Sequence, residues 1–299
     1  MSKSVNISIA TNSVITATKL FGFLTTGSPT LFAETVHSAT DVINQVLLKV
    51  GEVKARRKST RLHPFGFGKE RYFWALVSSI SVLFLGCGAS IRHGIEALLH
   101  HEAGTPFSNL AIGLLILAGL LELYTFRVAW HELGGRAGLR AARTNTTVLA
   151  VLLEDSVALL GIVITLFVAF WSRLFEPAPL MDAIISIFIG LLLGIMALLL
   201  AKLNKEVLID VADLKIDAEI ERAIRERAGI ELKVVSSLMD SEHCLLFVHV
   251  SPATLPASVD FDRLTAIGEE IKAHIAQALG KTVDHVYWQF PAHSKPVAT

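Results

Sequence analysis

Glu34-Thr-Val-His37-Ser-Ala-Thr-Asp41-Val-Ile-Asn44-Gln-Val-Leu-Leu48 is the stretch around which the chain is organised. Neither Pro nor Gly occurs from Leu31 to Val50, so the segment reads as one helix. Steps of three and four residues return to the same helix face. Glu34, His37, Asp41 and Asn44 are spaced by three, four and three, so they form one polar stripe between apolar neighbours such as Leu31, Phe32, Val42, Ile43 and Leu47. In a soluble protein this is an ordinary amphipathic helix. Across a membrane, an acid at the helix centre costs about 2.5–3.5 kcal/mol on insertion scales and needs a partner or a purpose. An imidazole one turn from a carboxylate is half of a metal site.

Composition favours the membrane. Of 299 residues, 52% are hydrophobic and only 18% charged, with a mean hydropathy of +0.55. The formal net charge is zero, which argues against a nucleic-acid partner. Cys87 lies in an apolar run and Cys244 in a predicted strand, a placement that suits neither a disulfide framework nor a CxxC zinc site. No signal or transit peptide is expected after Lys3.

Apolar periodicity predicts six transmembrane helices, near 5–26, 30–50, 72–99, 110–130, 146–170 and 180–201. The first carries Asn6, Asn12, Ser13 and Lys19, so it should face helices or water and not lipid. Lys54, Arg56, Arg57, Lys58, Arg61, Lys69 and Arg71 cluster after the second segment, Arg136, Arg140 and Arg143 after the fourth, and Lys202 and Lys205 after the sixth. The opposite side shows Arg173, with Arg92 near a helix end. The positive-inside rule then puts both termini in the cytoplasm, as expected of a multi-pass protein of a bacterial inner membrane. The same positives could also meet anionic lipid headgroups.

After residue 202 the character changes. A helix at 216–228, strands at 231–238 and 244–250, a helix at 261–279 and a strand at 284–290 make an αββαβ order, a small α+β domain. The expected domains are therefore a transmembrane unit, 1–202, and a cytoplasmic unit, 203–299.

Glu154 and Asp155 lie side by side in the apolar fifth segment. With His37 and Asp41 they could form a mixed nitrogen and oxygen site for a divalent transition metal. The alternative is an interhelical hydrogen-bond network that only holds the bundle. Glu122 suits either a proton path or a pair with Arg127, and His131-Glu132 does not extend to a metalloprotease motif because Gly135 takes the required place.

Together these features resemble the cation diffusion facilitators, a family of metal/proton antiporters. The resemblance rests on His37-x-x-x-Asp41, on His63-Pro-Phe-Gly-Phe-Gly-Lys-Glu-Arg71, on the acids of the fifth segment and on the αββαβ tail, and it covers nearly the whole chain. His37-Ser-Ala-Thr-Asp-Val-Ile-Asn-Gln45, the run from His63 to Trp74, and Leu153-Glu-Asp155 are more narrowly similar to the zinc transporter 9-like branch. The resemblance implies a homodimer whose tail dimerises, with no cofactor and no enzymatic activity. Its cargo would be a divalent metal, zinc first and manganese or iron next, exported from the cytoplasm against protons. It places His37, Asp41 and Asp155 at the transport site. The family's fourth ligand falls at Val151, which cannot ligate, so Glu154 becomes the substitute, either as ligand or as proton carrier. Glu154 is offset from Val151 by about 60° of helix rotation, and an oxygen-richer site would shift preference toward manganese or iron.

Of the family's loop metal site only His63 has a counterpart, since Thr60 and Phe67 take the other positions, and His63 reads as structural. In the tail His249 matches a regulatory ligand, but Trp288 and Phe290 stand where the last ligands belong, so no tail metal is expected. His243, His285 and His293 read as surface residues. Two rivals remain. A membrane metallohydrolase would need an open ligand position and a general base in a wet cleft. A non-transporting metal sensor or scaffold that kept the fold is the other, and the gap at Val151 favours it.

Overall fold

The computed structural model describes residues 3–100, 109–135, 146–174, 179–210, 212, 214–228, 232–239, 243–250, 261–279 and 282–290. The expected loop near Gly104, the basic loop of Arg136, Arg140 and Arg143, the turn at 240–242, the loop at 251–256 and His293 lie outside these residues. The chain divides into two compact units, Met1–Lys205 and Glu206–Thr299.

The first unit is helical. It contains α1 (Lys3–Thr26), α2 (Pro29–Ala55), α3 (Glu70–Ser81), a π-helical segment (Val82–Cys87), α4 (Gly88–His100), α5 (Asn109–Leu133), α6 (Thr146–Leu174) and α7 (Pro179–Leu208). The expectation of six membrane-spanning helices is corrected by these elements. Among the described residues, four helices are long and apolar enough to cross a membrane: Glu70–His100, Ile112–Leu133, Leu152–Trp171 and Leu180–Leu208. The helices that fall short are α1 and α2. In α2 the cause is the stripe itself, because Glu34, His37, Asp41, Asn44 and Gln45 dilute every apolar window. These helices pack on each other, and both also pack against the apolar ones, α1 on α5 and α2 on α3 and α6. The protein is a multi-pass integral membrane protein with a polar interior.

The start of α2 is fixed by its sequence. Gly27 turns the chain with φ 66°, and Pro29 occupies the first helical turn, where its missing N–H costs nothing. Ser28 caps the helix by accepting from Leu31 N at 3.3 Å. The Asp182 carboxylate of α7 then accepts from Ser28 Oγ at 2.8 Å and from Thr30 N at 3.2 Å. One buried acid thus anchors α2 to α7.

The crossing of α7 with α4 and the π-helical segment depends on small residues. A Cβ at Gly190 would lie 2.9 Å from Ile91 Cγ1, and one at Gly194 2.9 Å from Cys87 Sγ. This spacing of two glycines four apart is the small-residue pattern that lets membrane helices approach closely. Gly190→Leu is therefore expected to destabilise the helical unit by about 1–3 kcal/mol through overpacking. Thermal unfolding in detergent checks this, and an unchanged midpoint would contradict the close crossing.

The second unit comprises α8 (Leu214–Ala228), β1 (Leu232–Leu238), β2 (His243–Val250), α9 (Phe261–Leu279) and β3 (Thr282–Gln289). The sheet order is β1-β2-β3, with β1 antiparallel and β3 parallel to β2. Ile220 of α8 and Ile267, Ile271 and Ile275 of α9 are buried, as are Leu232, Val234, Leu246 and Val248 of the sheet. The outer edge of β1 is occupied: Glu221 accepts from Val234 N and Asp217 from Ser236 N, each at 2.9 Å. These acids satisfy edge N–H groups that would otherwise invite another strand. Cys87 is half-buried and Cys244 buried.

Candidate metal centre

The stripe read from the sequence faces inward. Glu34, His37 and Gln45 are completely buried, and Asp41 and Asn44 nearly so. From α6, Glu154 and Asp155 are each 1% exposed. The i,i+4 spacing brings His37 Nδ1 to 3.5 Å from Asp41 Oδ1. Neither imidazole nitrogen of His37 has a hydrogen-bond partner, and Asp41 Oδ1 also lacks one. Buried polar atoms are usually satisfied, so each such orphan calls for an explanation.

The two acids of α6 differ in their partners. The Asn44 amide of α2 donates to Glu154 Oε1, and the Ser78 hydroxyl of α3 donates to Asn44 Oδ1. This relay runs across three helices and fixes the Glu154 carboxylate, leaving its Oε2 free of partners. The Thr125 hydroxyl of α5 donates to the Glu122 carbonyl at 2.9 Å, and Asp155 Oδ2 is without a hydrogen-bond partner. The charges of Asp41, Glu122, Glu154 and Asp155 lie within electrostatic reach of one another.

The structure therefore pairs His37 with Asp41 and turns Glu154 and Asp155 into the same polar interior. It does not assemble them into a cage: among the described residues, no group of three or more His, Cys, Asp and Glu side chains is arranged to hold a metal. The donors that are present carry free lone pairs on one nitrogen base and three carboxylates, a donor set suited to a borderline or hard divalent cation.

Several partners escaped the sequence reading. Ser78 is a hydroxyl in an apolar helix, and nothing in its spacing marks it. Glu122 faces Lys19 of α1, with Nζ at 4.0 Å from its Oε1, whereas Arg127 is exposed. The signal for Lys19 was available, since a lysine in the middle of a buried helix demands an acid. His63 lies in an exposed turn closed by Thr60 N to His63 O at 3.1 Å and His63 N to Thr60 O at 3.0 Å. Its ring lies tilted against Phe67, with centroids 4.5 Å apart. His249 sits in β2 opposite Lys233 and Gln289.

Comparison with known proteins agrees with the helical unit. Residues 5–209 match the family model of the cation efflux transmembrane domain. The chain is 30% identical over 278 residues to the mouse proton-coupled zinc antiporter SLC30A9, mitochondrial, covering 87% of this chain and 46% of that protein. It is 30% identical over 217 residues to metal tolerance protein C4 of Arabidopsis thaliana, covering 69% of this chain and 47% of the relative. Magnetosome protein MamM of Paramagnetospirillum magneticum aligns over 94 residues at 29% identity, covering 31% of this chain and 29% of MamM. The chain spans about half the length of SLC30A9 and of the C4 protein. With the match running from α1 to the end of α7, the chain belongs to the cation efflux family, the cation diffusion facilitators.

Proposed function

We propose that the protein is a divalent-metal/proton antiporter of the SLC30A9-like branch, with zinc as its first cargo and manganese or iron as alternatives. The observation that carries this reading is the buried, unpartnered His37–Asp41 pair turned toward Glu154 and Asp155 inside a cation efflux domain. Ligands must lose protons before they take metal, and they regain them when it leaves. His37, Asp41, Asp155 and Glu154 thus form a site that holds either a metal or protons. Exchange between the two membrane faces then requires two conformations with different access, each favoured by its own occupant.

The Lys/Arg-rich segment 54–71 supports a cytoplasmic placement for that loop and for both termini, in a bacterial inner membrane as elsewhere. The α+β unit is the natural dimerising element of a homodimer, and this rests on the family alone. A non-transporting metal sensor is the second reading, favoured by the valine at position 151 where the family supplies a ligand.

Reconstituted proteoliposomes with an imposed pH gradient separate the two. Zinc uptake should follow the gradient and collapse when it is dissipated, and manganese, iron, cobalt and cadmium rank the cargo. Metal binding without flux would leave the sensor. Within the site, Glu154→Gln should weaken zinc binding if Glu154 ligates, and adding Val151→His should restore it. A carrier of protons alone would keep its affinity and lose flux.

A further inference from the structure

Lys19 on α1 is 2% exposed and lies among polar atoms of three helices. Its Nζ is 2.7 Å from Glu34 Oε2 on α2 and 4.0 Å from Glu122 Oε1 on α5. Both acids are fully buried. Two carboxylates thus share a single ammonium, and they remain under-satisfied: Glu34 Oε1 and both oxygens of Glu122 have no hydrogen-bond partner. A buried carboxylate oxygen without a hydrogen-bond donor is costly, so three such oxygens on two carboxylates that share one ammonium require a reason. The place is also fixed on its fourth side. Glu34 Oε1 rests against α6 at Gly161, where a Cβ would collide with it.

Acids from different helices converging on one cation is the layout of a metal site. Here the cation is an amine fastened to the chain. We propose that Glu34 and Glu122 form a second, carboxylate-only cation site in which Lys19 is the resident ion and excludes divalent metal. Glu34 stands one turn from His37 on the same stripe of α2. Without Lys19, an entering metal would meet two acidic places along that stripe. With Lys19 in position, the carboxylate-only place is filled and the neighbouring imidazole–carboxylate pair is the one left open. A site made of carboxylate oxygens alone would take a hard cation of the Mn²⁺ or Mg²⁺ class.

The test is the amount of Mn²⁺ bound per chain, measured by equilibrium dialysis on the purified full-length protein at fixed pH. Lys19→Ala should bind about one more Mn²⁺ per chain than the unsubstituted protein, because removing the amine and its stem leaves room for the ion and its waters. Lys19→Arg, which keeps the charge, should show no gain. Adding Glu122→Gln to Lys19→Ala should abolish the gain. An equal count in Lys19→Ala and the unsubstituted protein would overturn the proposal. So would a Lys19→Ala protein that folds neither with nor without Mn²⁺ during solubilisation, since a vacated acidic site should be stabilised by the added cation. The readout is a difference between variants, so it stands apart from the transport reading, which fails instead if the unsubstituted protein binds no metal.

Discussion

Asp41→Asn should abolish metal flux while leaving at least as much folded protein in the membrane. The amide keeps the shape of the side chain but offers one neutral oxygen, and it has no proton to exchange. Loss of a partner behind a metal ligand costs about 10–100-fold in affinity or activity, so loss of a ligand itself should exceed that range. The effect on folding runs the other way. Asp41 is buried beside His37, and burial together with the charges of Glu122, Asp155 and Glu34 outweighs the attraction of the Lys19 ammonium. Removing one negative charge from a crowded, low-dielectric interior relieves repulsion. The variant should therefore unfold at a temperature no lower than the unsubstituted protein, as expected where function holds a site at the expense of stability. Flux in proteoliposomes and thermal unfolding in the same detergent measure the two effects. A variant with normal flux would remove Asp41 from the site, and one with lost flux and a large drop in stability would make its role structural.

The readable part of this molecule was what repeats at a fixed period. The three-four-three spacing from Glu34 to Asn44 placed four polar residues on one face before any coordinate, and α2 buries that face. Apolar residues at 264, 267, 271 and 275 marked α9 in the same way. What periodicity could not show was which helices the lipid tolerates. The stripe that made α2 recognisable also lowers its hydropathy, so the feature that pointed to function undid the count of six spans. Pairings between helices were equally hidden, because they depend on rotation and depth and not on spacing along one helix. Nothing local tells that Ser78 donates to Asn44, or that Asn44 then turns its amide to Glu154. The π-helical segment Val82–Cys87 shows no proline or charge to announce it. It places Gly86 against Thr40 of α2, with a Cβ there 3.6 Å from Thr40 Oγ1, one residue from Asp41.

Gly161→Ala should destabilise the helical unit, although it adds a single methyl to a membrane helix. In most helices this change is favourable by about 0.5–1 kcal/mol, because glycine is the more flexible residue. Here the added Cβ would collide with Glu34 Oε1 and lie 3.2 Å from Glu34 Cδ. The carboxylate must leave, and Glu34 is fully buried with its other oxygen bound 2.7 Å from Lys19 Nζ. If the displacement separates the pair, the cost is that of a broken buried salt bridge, about 3–5 kcal/mol. A small swing that preserves the pair would cost under about 1 kcal/mol, comparable to an exposed contact. The packing decides for the larger figure, because Lys19 holds Glu34 from α1 while α6 blocks it from behind. Glu34→Asp tests the cause, since its shorter side chain withdraws the oxygen from the glycine. Combined with Gly161→Ala it should cost less than the sum of the two single changes, a coupling expected of residues in contact. Chemical unfolding of the four proteins in one detergent gives that coupling directly. Strict additivity would mean that Gly161 and Glu34 do not meet, and a stabilised Gly161→Ala would mean that the carboxylate is free to move.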